Sequence, residues 1–238
     1  MSRSTSLHVA VFLPTPATSP VGAQLLDTAC VDILAVHNKS YLAPLTFMLP
    51  PEPDLVALAP EIKISYVGVR PAGSLMDLTA GLKMQLTHHY TDEEVQPGKV
   101  DIVLVPGPDP RETWDPEALA WLKAHLDTAG TDILSICTGI FVCGAAGLLQ
   151  GKKACGPRDL QGLLAEKFKA QDVQWIGCEV RWTRDGNFWS CGGVTNGNDL
   201  VSAYVRESGR FAPELVEFCL AFVDTGDRPQ RYAPRPSA

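Results

Sequence analysis

The sequence has no cysteines paired at C-x-x-C spacing and no Cys/His set at zinc-site spacing; its seven cysteines, an odd number, are scattered from Cys30 to Cys219. Neither a disulfide framework nor a metal is therefore expected, and a reducing, cytoplasmic setting suits the thiols best. A long apolar run is also missing. The stretch Val9–Leu13, which follows the polar Met1–Ser6, is too short for a signal-peptide core or a membrane span, so no membrane partner is expected. No basic stripe with interleaved aromatics occurs, and the formal charge is −7. That balance argues against nucleic acid, whose phosphates need concentrated Lys and Arg. Internal repeats, a domain linker and the glycine fingerprints of nucleotide-binding loops are absent too, so no cofactor is expected.

What remains is ordinary globular material. The 238 residues are 45% hydrophobic and 20% charged, enough for a sizeable core. A single domain over 1–238 is expected, with its core over about 7–222 and a proline-bearing tail, 225–238, poorly ordered.

Along the chain, Leu7–Leu13 reads as a first buried strand and Pro14–Pro20 as a loop that cannot continue it. Gln24–His37 carries apolar residues at roughly helical spacing, with Asp27 in its first turn. Leu45–Leu49, Ile62–Val69 and Leu82–Tyr90 are strand-like, and His88 and His89 in the last read as edge or surface histidines. Asp101–Val105 is a strongly apolar strand, and Asp115-Pro116-Glu117 opens a helix with an N-cap residue followed by proline. Further strands are expected near Val173–Trp175, Val180–Thr183 and Phe188–Cys191, and a helix from Leu200 to about Ser208. The repeated strand, loop, helix order predicts an α/β fold, a three-layer sandwich whose largely parallel sheet is covered on both faces.

The stretch 132–149 organises the chain. Ile133–Ile136 suits a buried parallel strand, the small and apolar residues after it suit a helix packed closely on a sheet, and Cys137 falls at the junction. A residue there projects from the carboxyl edge of the sheet beside unsatisfied helical N–H groups, whose field favours thiolate over thiol. Strained backbone of the nucleophile-elbow kind is expected at Cys137. Asp27 lies on the same edge, with Asp32 as the alternative acid, although residues five apart do not share a helix face. Gly192 and Gly193 are read as permitting close backbone approach.

These residues resemble the ThiJ/PfpI superfamily of class I glutamine-amidotransferase-like proteins, and within it the isonitrile-hydratase branch and its fungal-type relatives. The resemblance spans roughly 7–222. It rests on Ser135-Ile136-Cys137-Thr138-Gly139 continuing through Gly144–Ala154, on Leu26-Asp27, on Val105-Pro106-Gly107, and on Gly192-Gly193-Val194-Thr195-Asn196-Gly197 with Asp199. It implies a flavodoxin-like fold, a homodimer, a Cys nucleophile at Cys137, an acid at Asp27 and a contributing Thr138. The small-molecule site would include Gly107, Gly139, Gly193 and, at an anionic substrate group, Arg158.

Two departures stand out. Pro108 replaces a glycine common in relatives and has no N–H to offer an oxyanion, and Cys155-Gly156-Pro157-Arg158 stands where isonitrile hydratases usually read Thr-Thr-His-Trp. Three readings stay open. They are a Cys-dependent hydratase or lyase on a small electrophile, a biosynthetic lyase, dehydratase or cyclase using the same pocket, and a non-catalytic dimer using Cys137 as an oxidisable thiol.

Overall fold

The computed structural model describes residues 5–16, 19 and 21–233. The first strand, β1 (Ser6–Leu13), turns Val9, Val11 and Leu13 to one side and Ala10 and Phe12 to the other, all buried. A strand apolar on both faces belongs inside a sheet covered twice.

The chain continues through α1 (Leu25–Ala29), α2 (Val31–Ala35), α3 (Lys39–Leu42) and α4 (Leu55–Leu58) into β2 (Glu61–Gly68). A small hairpin, β3 (Leu75–Asp77) and β4 (Lys83–Gln85), precedes β5 (His88–His89) and β6 (Ile102–Val105). Next come α5 (Pro116–Asp127), β7 (Asp132–Ser135), α6 (Gly139–Ala145), β8 (Lys153–Ala154), α7 (Gln161–Lys167) and β9 (Gln174–Trp175). The last elements are β10 (Trp182–Asp185), β11 (Phe188–Cys191), α8 (Asn196–Glu207) and α9 (Pro213–Phe222).

Seven strands form the central sheet in the order β10-β11-β7-β6-β1-β2-β5. Every pairing is parallel except β10 with β11. Residues of α2, α8 and α9 pack on one face, against Val11, Leu104 and Leu134. Residues of α5, α6 and α7 pack on the other, against Phe12, Val103 and Ile133. This is the three-layer α/β sandwich expected. The small residues of α6 have their reason in distance. A Cβ on Gly139 would lie 2.1 Å from the Val105 carbonyl oxygen, and one on Gly144 would strike the Phe168 ring. The helix therefore sits against β6 at a separation that larger side chains forbid.

Several local expectations are corrected. The stretch 45–49 is not a strand: Leu45 ends a short 3-10 segment, Ala43–Leu45, and turns follow it. The alternating stretch 82–90 is two strands. Its first half pairs with β3 in the hairpin and its second with β2. The helix expected over 24–37 breaks at Cys30 into α1 and α2, and α8 begins earlier than expected, at Asn196. The Pro14–Pro20 loop lies partly outside the described residues.

The tail differs most. Between residues 225 and 233 it folds back along β10: Arg181 N–H donates to Gln230 O (2.7 Å), Tyr232 N–H to Glu179 O (2.9 Å), and Arg228 pairs with the buried Asp199. These partners, absent from the tail's own composition, hold it in place. Residues 234–238 lie outside the described residues. No helix among those described is long and apolar enough to cross a membrane.

Candidate active site

Four neighbouring parallel strands, β1, β6, β7 and β11, deliver their following loops to one edge of the sheet, the usual place for a ligand crevice in an α/β fold. Cys137 stands two residues beyond the end of β7 and two before the start of α6, with φ of 54°. A side chain other than glycine, asparagine or aspartate in that region is uncommon and strained. The backbone kink expected at the strand-to-helix turn is therefore present.

Asp27 reaches the same place from α1. Its side chain is fully buried, and Oδ2 accepts a hydrogen bond from Gly107 N–H (3.1 Å). Gln24 N–H donates in turn to Gly107 O (2.9 Å), so the entry to α1 and the loop after β6 are clamped together. Only glycine fits at 107. An added Cβ would lie 2.3 Å from Thr138 Oγ1 and 2.5 Å from Asp27 Oδ2. Oδ1 of Asp27 is buried with no hydrogen-bond partner meeting ordinary geometry, and the Cys137 thiol lies within interaction range of the carboxyl group.

Burial raises the Asp27 carboxyl from 3.8 to about 7, opposed by the Gly107 N–H and the Cys137 thiol. Cys137 is pushed up to about 12, first by burial and then by the charge of Asp27, while the N–H and hydroxyl of Thr138 pull it down. Burial and the neighbouring carboxylate thus outweigh the field of the helix, which favours the thiolate. Seven residues of α6 offer less than desolvation and a neighbouring carboxylate take away. Near neutral pH the sulfur keeps its proton and Asp27 stands near half-protonation, a pair able to pass one proton between them.

Thr138 Oγ1 also donates to the carbonyl of Pro108 (2.8 Å). Pro108, which removes one N–H, thereby contributes an acceptor that orients Thr138. Asp32 is exposed on α2, so of the two carboxyl groups Asp27 is the one buried beside Cys137. A cavity of about 500 Å³ opens beside Cys137 and Thr138. Val21, Ala23, Pro108, Pro110 and Val194 give it apolar walls, Gln24 and Thr79 polar ones, and Arg111 stands at it, held by Asp109 through Nε (2.9 Å).

Three residues expected at the substrate lie elsewhere. Arg158 is drawn over the ring of Tyr232 in the folded-back tail, its guanidinium carbon 4.3 Å from the ring centre. Gly139 faces Val105 rather than the cavity, and a Cβ on Gly193 would meet open space, so close approach belongs to Gly192 alone. Gly107, Cys137 and Thr138 do line the cavity. Gln24, Thr79, Arg111 and Val194 were not singled out from sequence as site residues. Val194 sits inside a motif quoted above, whereas Thr79 arrives through the β3–β4 hairpin and carries no local signal. None of the five histidines, all described, lines the cavity. Of the cysteines, Cys178 is exposed and the other six are buried.

Comparison with known proteins bears on the same residues. Residues 53–207 match the profile of the DJ-1/PfpI family, a span that includes Gly107, Cys137 and Thr138 but not Asp27. The isonitrile hydratase of Pseudomonas putida is 30% identical over 189 residues, covering 77% of this chain and 72% of the relative. Among solved structures, a ThiJ/PfpI family protein from Pseudomonas syringae superposes with a TM-score of 0.65 at 22% identity, covering 97% of this chain and 77% of that one. Schizosaccharomyces pombe DJ-1 superposes at 0.62 and 13% identity, over 94% and 100%. The structural likenesses show the fold, which is flavodoxin-like.

Proposed function

Because the chain belongs to the DJ-1/PfpI family, we propose that it is a cysteine-dependent hydratase or lyase for a small uncharged electrophile, with isonitriles, R–N≡C, as the substrate class. The observation that carries this reading is the buried Cys137–Asp27 pair at one end of an otherwise mainly apolar cavity. An isonitrile has an apolar R group and a compact reactive carbon, matching apolar walls with a thiol at their base. The similarity to an isonitrile hydratase supports it.

The reaction runs in two steps. The Cys137 sulfur bonds to the terminal carbon while Asp27 takes the thiol proton and returns it to that carbon, giving the thioimidate R–N=CH–S–Cys137. Water then adds to the same carbon, the C–S bond breaks, and R–NH–CHO leaves with the thiol restored. The Thr138 N–H, which favours the anionic sulfur, lowers the barrier to the first step. Asp27, at about 7, is matched to both giving and taking a proton near neutral pH.

The segment Cys155–Arg158, whose departure from the isonitrile-hydratase pattern favours a biosynthetic lyase, dehydratase or cyclase, contributes no lining residue to this cavity. That removes the main argument for a different substrate. The test is incubation of the purified chain with alkyl and aryl isonitriles, following loss of the N≡C infrared stretch and appearance of the N-substituted formamide. Formamide produced over many turnovers is expected. A protein inert to all of them would shift the assignment to the biosynthetic reaction. A homodimer is proposed on the same family resemblance, and sedimentation equilibrium should register twice the chain mass of 25.7 kDa.

A further inference from the structure

The tail that folds back along β10 does more than cover a sheet edge. Its main chain pairs with residues 179–181, which lead into β10, and there Val180 and Arg231 form an isolated antiparallel bridge. Two of its side chains reach on to the end of the loop after β11 and the first turn of α8. Arg228 donates to the buried Asp199 through Nε (2.9 Å to Oδ1) and Nη2, and Nη2 also donates to Thr195 O (3.1 Å). The Tyr232 hydroxyl donates to Asn196 Oδ1 (2.8 Å), whose Nδ2 donates to Asp199 Oδ2 (3.0 Å). The Tyr232 ring lies against two guanidinium groups, Arg158 at 4.3 Å and Arg181 at 4.5 Å from its centre. Gly192 is the residue that permits this approach, since a Cβ there would fall 2.6 Å from the Tyr232 hydroxyl.

Thr195 and Asn196 directly follow Val194, which forms part of the wall of the cavity containing Cys137. We propose that Arg228 and Tyr232 are positioning residues of a C-terminal strap that fixes Thr195 and Asn196, and through them Val194, and so sets how bulky a molecule reaches Cys137. The proposal rests on the reading of this cavity as the substrate site. A strap that only stabilised the fold would need the main-chain pairing and the exposed Arg231–Glu179 ion pair, but not a hydroxyl and a guanidinium aimed at the loop. The side chains of Arg228 and Tyr232 are therefore the ones that act on specificity.

The test uses alkylation of Cys137, which reads access to the cavity without turnover. Because Cys178 is exposed, it is done on the full chain carrying Cys178→Ser. Rate constants for iodoacetamide and for the bulkier N-phenyl iodoacetamide are measured by peptide mapping. In Arg228→Ala and Tyr232→Phe the bulky-to-small ratio is expected to rise about 5-fold or more, with the iodoacetamide rate itself changed less than about twofold. Arg228→Lys should recover part of the wild-type ratio, and Arg231→Ala should leave it unchanged. Tyr232→Phe keeps the ring between the two arginines, so it remains folded and decides the matter if Arg228→Ala does not. With isonitriles, the same variants should move KM for bulky substrates while kcat and its pH profile hold.

An unchanged ratio in both variants overturns the proposal. So does a parallel change of both rates that tracks loss of Tm, and so does a Cys137 that neither reagent reaches in any variant. A wild-type chain inert to isonitriles, together with the shifted ratio in the two variants, would sink the hydratase reading and leave the strap standing.

Discussion

Cys137→Ser is expected to leave formamide formation from an isonitrile at the uncatalysed rate. The substitution changes one buried atom, so the fold, the φ of 54° and the cavity remain. What is lost is the acidity of the attacking group. Asp27, at about 7, can draw a proton from a thiol as the C–S bond forms, whereas an alcohol is too weak an acid for so weak a base, and no histidine lines the cavity to replace it. The loss is expected to exceed roughly 1,000-fold. The measurement is formamide release under substrate saturation, with circular dichroism to confirm the fold. Retained turnover would remove Cys137 from the chemistry and with it the whole reading.

Asp27→Asn is the second large effect, and it acts in two directions. Turnover should fall about 100-fold or more, because the amide can still accept from Gly107 N–H but cannot take the thiol proton and return it to carbon. Stability should move the other way. The carboxyl is raised from 3.8 in the unfolded chain to about 7 in the fold, so the folded state holds its proton more tightly. Its contribution is full below pH about 4 and is lost as the pH rises through about 7, leaving a buried charge that costs up to about 4 kcal/mol at pH 8. Asp27→Asn should therefore raise Tm by several degrees at pH 8 and leave it nearly unchanged at pH 4. A wild-type turnover number would exclude Asp27 from the mechanism; a lowered Tm at pH 8 would show that the ionised carboxylate stabilises the fold.

Local covalent information carried much of this protein. Strands such as Ile102–Val105, apolar at every position, and Ile133–Ile136, apolar but for Ser135, admit burial on both faces and little else, so a parallel sheet between two helical layers was legible before any contact was known. The junction of such a strand with a helix of small residues likewise placed Cys137 at the carboxyl edge. The Asp115-Pro116 signal opened α5 where it was expected, with Asp115 accepting from Glu117 N–H at 2.8 Å.

Other features were not legible because their causes lie far away in the chain. Leu82–Tyr90 alternates well enough for one strand, yet two different partners compete for it and divide it. The burial of Asp27, its hydrogen bond from Gly107, 80 residues on, and the desolvation that raises Cys137 arise only in the closed fold. Arg158 carries a charge suited to an anionic ligand, but a tail that reads as unstructured returns and sets Tyr232 beneath it. Sequence by itself determined the fold class and the position of the thiol, since backbone preference and the burial period act between near neighbours. The depth at which that thiol and Asp27 are buried, the arrival of Thr79 at the cavity and the return of the tail to Asp199 were decided only in the tertiary structure, because dielectric environment and contact depend on which distant segments close around a point.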